Sequence, residues 1–139
     1  MIVLDASMAL AWIFDRENKK EAQRADHVLQ KIKTEETLVP ALWHIEVSNG
    51  LLLGERRKII TEAQVIDYFS RLSHLPLMTD SVAPSSIRSL VHSLGREYAL
   101  TAYDAIYLEL SLRTKSVLAT FDNKLAAAME KAGGVVFKD

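Results

Sequence analysis

No cysteine occurs among the 139 residues, which excludes disulfides, thiolate zinc sites and cysteine nucleophiles together and is compatible with a reducing compartment. Metal chemistry would have to use oxygen or histidine ligands. An excess of charge is lacking too: 17 basic against 18 acidic residues leave a formal charge of −1, so the chain has neither a basic nucleic-acid coat nor an acidic tail. Any contact with nucleic acid must be local. No run approaches the roughly 20 apolar residues that span a bilayer. The apolar start Met1-Ile2-Val3-Leu4 is stopped by Asp5 and has no basic leader. A cytoplasmic protein without membrane association is expected. Also absent are G-x-G-x-x-G, a Walker-type phosphate loop, G-x-S-x-G and H-E-x-x-H. Dinucleotide binding, P-loop hydrolysis, serine-esterase chemistry and zincin proteolysis therefore lose their usual handles. His27, His44, His74 and His92 show no metal-ligand spacing with one another, which leaves the carboxylates.

Hydrophobic residues at 49% and charged residues at 25% are the balance of a folded globular chain, and the length suits a single domain over 1–139. Short apolar runs alternate with longer helical patterns, the layout of β-α units in an α/β fold with helices on both faces of the sheet. Five short strands are expected, at Ile2 to Leu4, Leu38 to Pro40, Leu77 to Thr79, Val117 to Thr120 and Val135 to Phe137. Most lack period-two alternation, as buried, mostly parallel strands do. Helices are expected near Ser7 to Phe14, Lys19 to Lys33, Ala41 to Arg57, Glu62 to His74, Pro84 to Gly95, Ala102 to Arg113 and Asn123 to Lys131. Thr61 and Gln64 form a capping box for the fourth, Pro84 suits the first turn of the fifth, and Gly133-Gly134 closes the seventh.

Four acids stand out by their addresses. Asp5 follows the first apolar run, at the carboxyl end of a strand where open α/β sheets keep their ligand crevices. Asp122 lies two residues past the fourth strand. Taken alone it reads more readily as the N-cap of the helix that follows. Glu46 lies in Ala41-Leu42-Trp43-His44-Ile45-Glu46-Val47, a segment apolar around most of its helical circumference and so expected to be largely buried; Asn49 and Gly50 share the face of Glu46. An exposed Glu46 on the one polar edge is the equal alternative. Asp104 interrupts the apolar stripe Leu100, Leu108, Leu112, and it is also three residues after Thr101, as in a capping box. Each acid has a structural explanation, yet each sits beside an apolar strand end or within an apolar helix face, where unpaired charge is costly. Four converging carboxylates would repel and require a cation, and oxygen-only ligands select Mg²⁺ or Mn²⁺ over zinc.

At these residues the chain resembles the PIN-domain ribonucleases, specifically the VapC-type toxins of toxin–antitoxin pairs. Asp5-Ala6-Ser7 with Trp12 is similar to the family's first block, Trp43-His44-Ile45-Glu46-Val47-Ser48-Asn49 to its second, Leu100-Thr101-Ala102-Tyr103-Asp104-Ala105 to its third and Ala119-Thr120-Phe121-Asp122 to its fourth. The blocks come in order and cover nearly the whole chain. Glu109 departs from the pattern, standing where a small or apolar residue is expected. The resemblance implies a three-layer α/β/α PIN-like domain on a short, central, mostly parallel five-stranded sheet. It also implies an acidic site of Asp5, Glu46, Asp104 and Asp122 with supporting roles for Ser7, Asn49 and Thr120. The implied activity is RNA cleavage by water that one or two Mg²⁺ or Mn²⁺ ions activate, on single-stranded or looped RNA. The implied partners are a second copy of the chain and a VapB-like antitoxin that blocks the cleft.

Two other readings compete. One is a magnesium phosphohydrolase in which Asp5 forms an aspartyl-phosphate, although the second acid that such sites place two residues on is here Ser7. The other is a non-catalytic α/β interaction module whose acids are caps and surface charges. For the helices Ala41 to Arg57 and Glu62 to His74, a role as a contact surface and simple closure of the core are equal expectations. The residues at issue are Ile59, Ile60, Val65, Ile66, Phe69 and Leu72.

Overall fold

The computed structural model describes all residues, 1–139. Strand β1 (Ile2–Leu4) is buried on both faces and lies at the centre of a five-stranded sheet of order β3-β2-β1-β4-β5. The other strands are β2 (Thr37–Val39), β3 (Leu77–Thr79), β4 (Val117–Ala119) and β5 (Val135–Val136), and all four pairings are parallel. The expected strands are all present. Pro40 leaves the second of them, because it has no N–H for a ladder and instead stands as N-cap of the next helix.

Seven helices connect the strands: α1 (Ala6–Leu10), α2 (Lys19–Ile32), α3 (Ala41–Arg56), α4 (Glu62–Ser73), α5 (Pro84–Tyr98), α6 (Ala102–Thr114) and α7 (Asn123–Lys131). The Thr61–Gln64 capping box is present in both directions. Helix α1 is shorter than expected and gives way to turns up to Phe14. Helix α5 runs past Gly95 to Ala99, which takes the left-handed C-cap conformation, while the Leu100 N–H closes onto the Gly95 carbonyl. Gly95 thus serves the close approach of Leu100 rather than the helix end, since an added Cβ would stand 3.2 Å from that residue's carbonyl oxygen.

Helix α3 is not buried all round. Trp43, Val47, Leu51 and Gly54 face the core, whereas Ile45, Leu52 and Leu53 are exposed. Gly50 and Gly54 let α1 and its following turn come close: a Cβ at Gly54 would lie 2.6 Å from the Phe14 ring, and one at Gly50 the same distance from Leu10. On the loop and helix after α3 the expected surface divides. Ile60 and Val65 are buried and Leu72 packs against the core, while Ile59 and Ile66 at 63% and Phe69 at 46% remain exposed. Closure of the core accounts for Ile60, Val65 and Leu72, and the other three side chains are left uncovered.

Helix α6 is the most enclosed, with Ala105 and Tyr107 through Ser111 buried. Glu109, the departure from the family pattern, is 1% exposed and is satisfied by Arg113 one turn on, whose Nε donates to Oε2 at 2.7 Å and Nη2 to Oε1 at 3.1 Å. Arg113 also donates to both oxygens of Asp80, at 3.3 and 2.7 Å. The buried charge is therefore part of a carboxylate–guanidinium–carboxylate bridge that ties α6 to the segment after β3. No helix is long and apolar enough to cross a membrane.

Candidate functional site

The strand order reverses direction between β1 and β4, and in a parallel sheet that is where the loops leaving the two carboxyl ends diverge and open a crevice. Asp5 leaves β1 and Thr120 leaves β4 on its two sides. The Asp5 N–H donates to the Ala119 carbonyl at 3.0 Å, which continues the ladder one residue beyond the strands and fixes the acid's backbone. Its side chain is 6% exposed, and its Oδ2 accepts from Ser7 Oγ at 2.6 Å and from Thr120 Oγ1 at 2.7 Å. Ser7 Oγ also accepts the Phe121 N–H, and Thr120 Oγ1 the Asp122 N–H. Two hydroxyls thus hold one carboxylate oxygen and anchor the loop that carries the fourth acid.

Asp122 is the N-cap of α7, as its local sequence indicates, with Oδ1 accepting from the Leu125 N–H at 2.9 Å. Capping occupies one oxygen and leaves the other for the crevice, so the two readings of this residue are compatible. Asp104 lies in the first turn of α6. Thr101 caps that helix through the Asp104 N–H, the forward half of the capping box only. Glu46 comes from α3 and is half-buried. Its Oε1 accepts from the Tyr107 hydroxyl at 2.6 Å, a bond that crosses from α6 to α3. Asn49 follows one turn after Glu46 but is exposed and makes no side-chain hydrogen bond to the acids.

Burial raises the pKa of Asp5, and the neighbouring Asp122 raises it further against the lowering effect of the two hydroxyls. Burial likewise raises Glu46, with added repulsion from Asp5 and Asp104 and relief from Tyr107. Asp104 is pushed up to about 6, first by burial and then by the charges of Asp122 and Asp5, while Lys124 pulls it down. All four acids therefore share one field. No three of them stand close enough together to form a ligand cage. The donor set is oxygen only and partly desolvated, and its carboxylates repel. That chemistry fits a hard divalent cation, which would remove the repulsion.

Tyr107 escaped the sequence reading as a site residue. It is fully buried, and its hydroxyl is spent on Glu46. The available signal was its position three residues after Asp104, on the same helical face. Arg16 gave no signal at all, although its guanidinium carbon lies 3.9 Å from the centre of the Phe121 ring, between Thr120 and Asp122 in the chain.

The architecture has counterparts among solved structures. PAE2754 from Pyrobaculum aerophilum superposes with a TM-score of 0.70 at 22% identity, over 99% of this chain and 83% of its own. FitAcB from Neisseria gonorrhoeae superposes with a TM-score of 0.66 at 17% identity, over 99% of this chain and 96% of its own. At these identities the likeness is one of fold. No curated protein sequence matches the chain. The family model described as PIN domain matches residues 2–131, a span that holds β1 to β4, the crevice between them and all four acids. On that match the chain belongs to the PIN domain family, whose members are typically nucleases.

Proposed function

We propose that the protein is a divalent-metal-dependent endoribonuclease and the toxin of a toxin–antitoxin pair, with Asp5, Glu46, Asp104 and Asp122 as its catalytic acids. The observation that carries this is the buried Asp5 at the switch between β1 and β4, oriented by Ser7 and Thr120 and accompanied by three further carboxylates, the charges among them helping to raise the pKa values of Asp5, Glu46 and Asp104. When bound there, Mg²⁺ or Mn²⁺ supplies positive charge that lowers the pKa of water and offsets charge on the reacting phosphate. The chain's own residues do the rest. Ser7 and Thr120 fix which oxygen of Asp5 faces the crevice, Tyr107 fixes Glu46, and the α7 N-terminus fixes Asp122. Asn49, exposed beside Glu46, is left as a supporting contact for the substrate. Single-stranded or looped RNA is the substrate class, because a side-chain crevice cannot reach bases inside an A-form duplex.

The aspartyl-phosphate alternative gains no support. Ser7, which stands where a second acid would be needed, donates to Asp5 and so weakens it as a nucleophile. Purified protein incubated with structured RNA should cleave it in Mg²⁺ or Mn²⁺ and stop when EDTA is added. Cleavage undiminished in EDTA would overturn the metal mechanism.

The proposed partners are a second copy of the chain and a VapB-like antitoxin, and the exposed apolar side chains Ile59, Ile66 and Phe69 are the surface offered to them. Sedimentation of the free protein should give a species heavier than the monomer, which Phe69→Glu dissociates. A strictly monomeric parent that also fails to co-purify with the product of its neighbouring gene would count against this surface.

A further inference from the structure

We propose that Arg16 binds a phosphate of the RNA strand next to the one being cleaved, with the Phe121 ring as the platform that aims its guanidinium. The inference rests on the nuclease reading above and adds to it a residue outside the four acids.

Phe121 is anchored in the site. It lies between Thr120 and Asp122, and its N–H donates to Ser7 Oγ at 3.0 Å, the same hydroxyl that bonds Asp5. Arg16 comes from the segment between α1 and α2, and its guanidinium carbon stands 3.9 Å from the centre of the Phe121 ring, a stacking distance. The ring therefore holds a cation on the residue that precedes Asp122, and none of the four acids is its ion-pair partner.

The donors of Arg16 are largely unspent. Its Nη2 faces Glu21 at 3.6 Å, too far for a hydrogen bond, and its Nε is buried with no acceptor. Arg113 shows what a structural arginine in this protein looks like, with four N–H···O contacts shared between two carboxylates. Arg16 has the opposite character: a side chain one-third exposed, fixed in direction by an aromatic face and short of acceptors. Arg24 lies 5.8 Å from the same ring, but its Nε is engaged by the Lys138 carbonyl, so it adds positive potential rather than a free fork. A planar guanidinium with free donors matches a phosphate diester in shape and charge. A strand that crosses the acids and runs on past Phe121 presents one phosphate to the acids and a neighbouring one to Arg16.

The test uses a fluorescent single-stranded oligoribonucleotide of mixed sequence and a cleavage-deficient Asp104→Asn background, with binding measured across a salt series. Adding Arg16→Gln should weaken binding about tenfold and lower the slope of log affinity against log salt by about 0.7, the share of one phosphate contact on a single strand. Arg16→Lys should keep the slope and recover part of the affinity. Oligonucleotides carrying one neutral methylphosphonate linkage at a time should reveal a position beside the cleaved bond to which the Arg16 protein is sensitive and the Arg16→Gln protein indifferent. Unchanged affinity and slope, or a lower melting temperature with the slope intact, would overturn the assignment. If Arg16→Gln in the otherwise unaltered protein cleaves RNA at the parental rate and affinity, the nuclease reading stands and the role of Arg16 falls. If the parent neither binds nor cleaves RNA in Mg²⁺, both fall.

Discussion

Asp5→Asn and Asp104→Asn are each expected to lose at least about a hundredfold in RNA cleavage, since even outer partners of metal sites account for 10–100-fold. Each swap removes a carboxylate charge at nearly constant volume, so the fold should persist. The Asp104 variant carries a second expectation. In the folded protein Asp104 is pushed up to about 6 from 3.8, first by burial and then by the charges of Asp122 and Asp5. The folded state therefore holds this proton more tightly than the unfolded chain does. Stability from this group is fully present below about pH 4 and is lost as the pH rises to about 6. In EDTA at pH 7, Asp104→Asn should melt higher than the parent, and the difference should vanish near pH 4. Thermal melts over that range, run beside cleavage assays, check both halves. Parental cleavage rates in both variants would show the site to be misplaced, and lost cleavage with a lower melting temperature at pH 7 would show the acids to be structural.

Arg113→Met is expected to be the most damaging single change outside the site. It leaves Glu109, 1% exposed, without its cation, and breaking a buried pair from one side costs about 3–5 kcal/mol. Against a total stability of about 5–15 kcal/mol, that amounts to a drop of roughly ten degrees or more in Tm. Glu109→Met should be far milder, within about 1.5 kcal/mol, because it buries a side chain of similar volume and leaves Arg113 paired with Asp80 at the edge of solvent. The double variant should regain most of what Arg113→Met loses. Chemical denaturation of the three proteins tests this asymmetry, and an equal or reversed order of the two single variants would contradict it.

These two cases mark what the sequence made legible. Asp5, Asp104 and Asp122 are read from local grammar: a strand end, a first helical turn and an N-cap. Their local roles survive in the structure beside the site proposed for them. Strands and most helices were found to within a residue or so because buried runs and caps are local signals, the ends of α1 and α5 excepted. The Tyr107–Glu46 bond joins residues 61 apart, and the Arg113–Asp80 contact joins residues 33 apart. Both depend on how layers stack, which periodicity does not encode. Glu109 differs, since its own partner Arg113 lies one turn on in the same helix, a spacing that the sequence displays. Helix α3 misled in a different way. Its composition suggested that it is largely buried, but composition cannot say whether a neighbour is present to cover an apolar face.

The central position of β1 also sets the order in which the protein can become active during its synthesis. The first strand made pairs on one side with β2, but on the other it must wait for β4, residues 117–119, which also brings the loop carrying Thr120 and Asp122. Until those residues leave the ribosome, Asp5 lacks one of its two orienting hydroxyls and the crevice has a single wall. Such a topology is rich in distant pairings and folds slowly compared with helical chains of similar size. The interval between translation and a finished cleft is therefore a period in which the nascent chain cannot yet bring the four acids together.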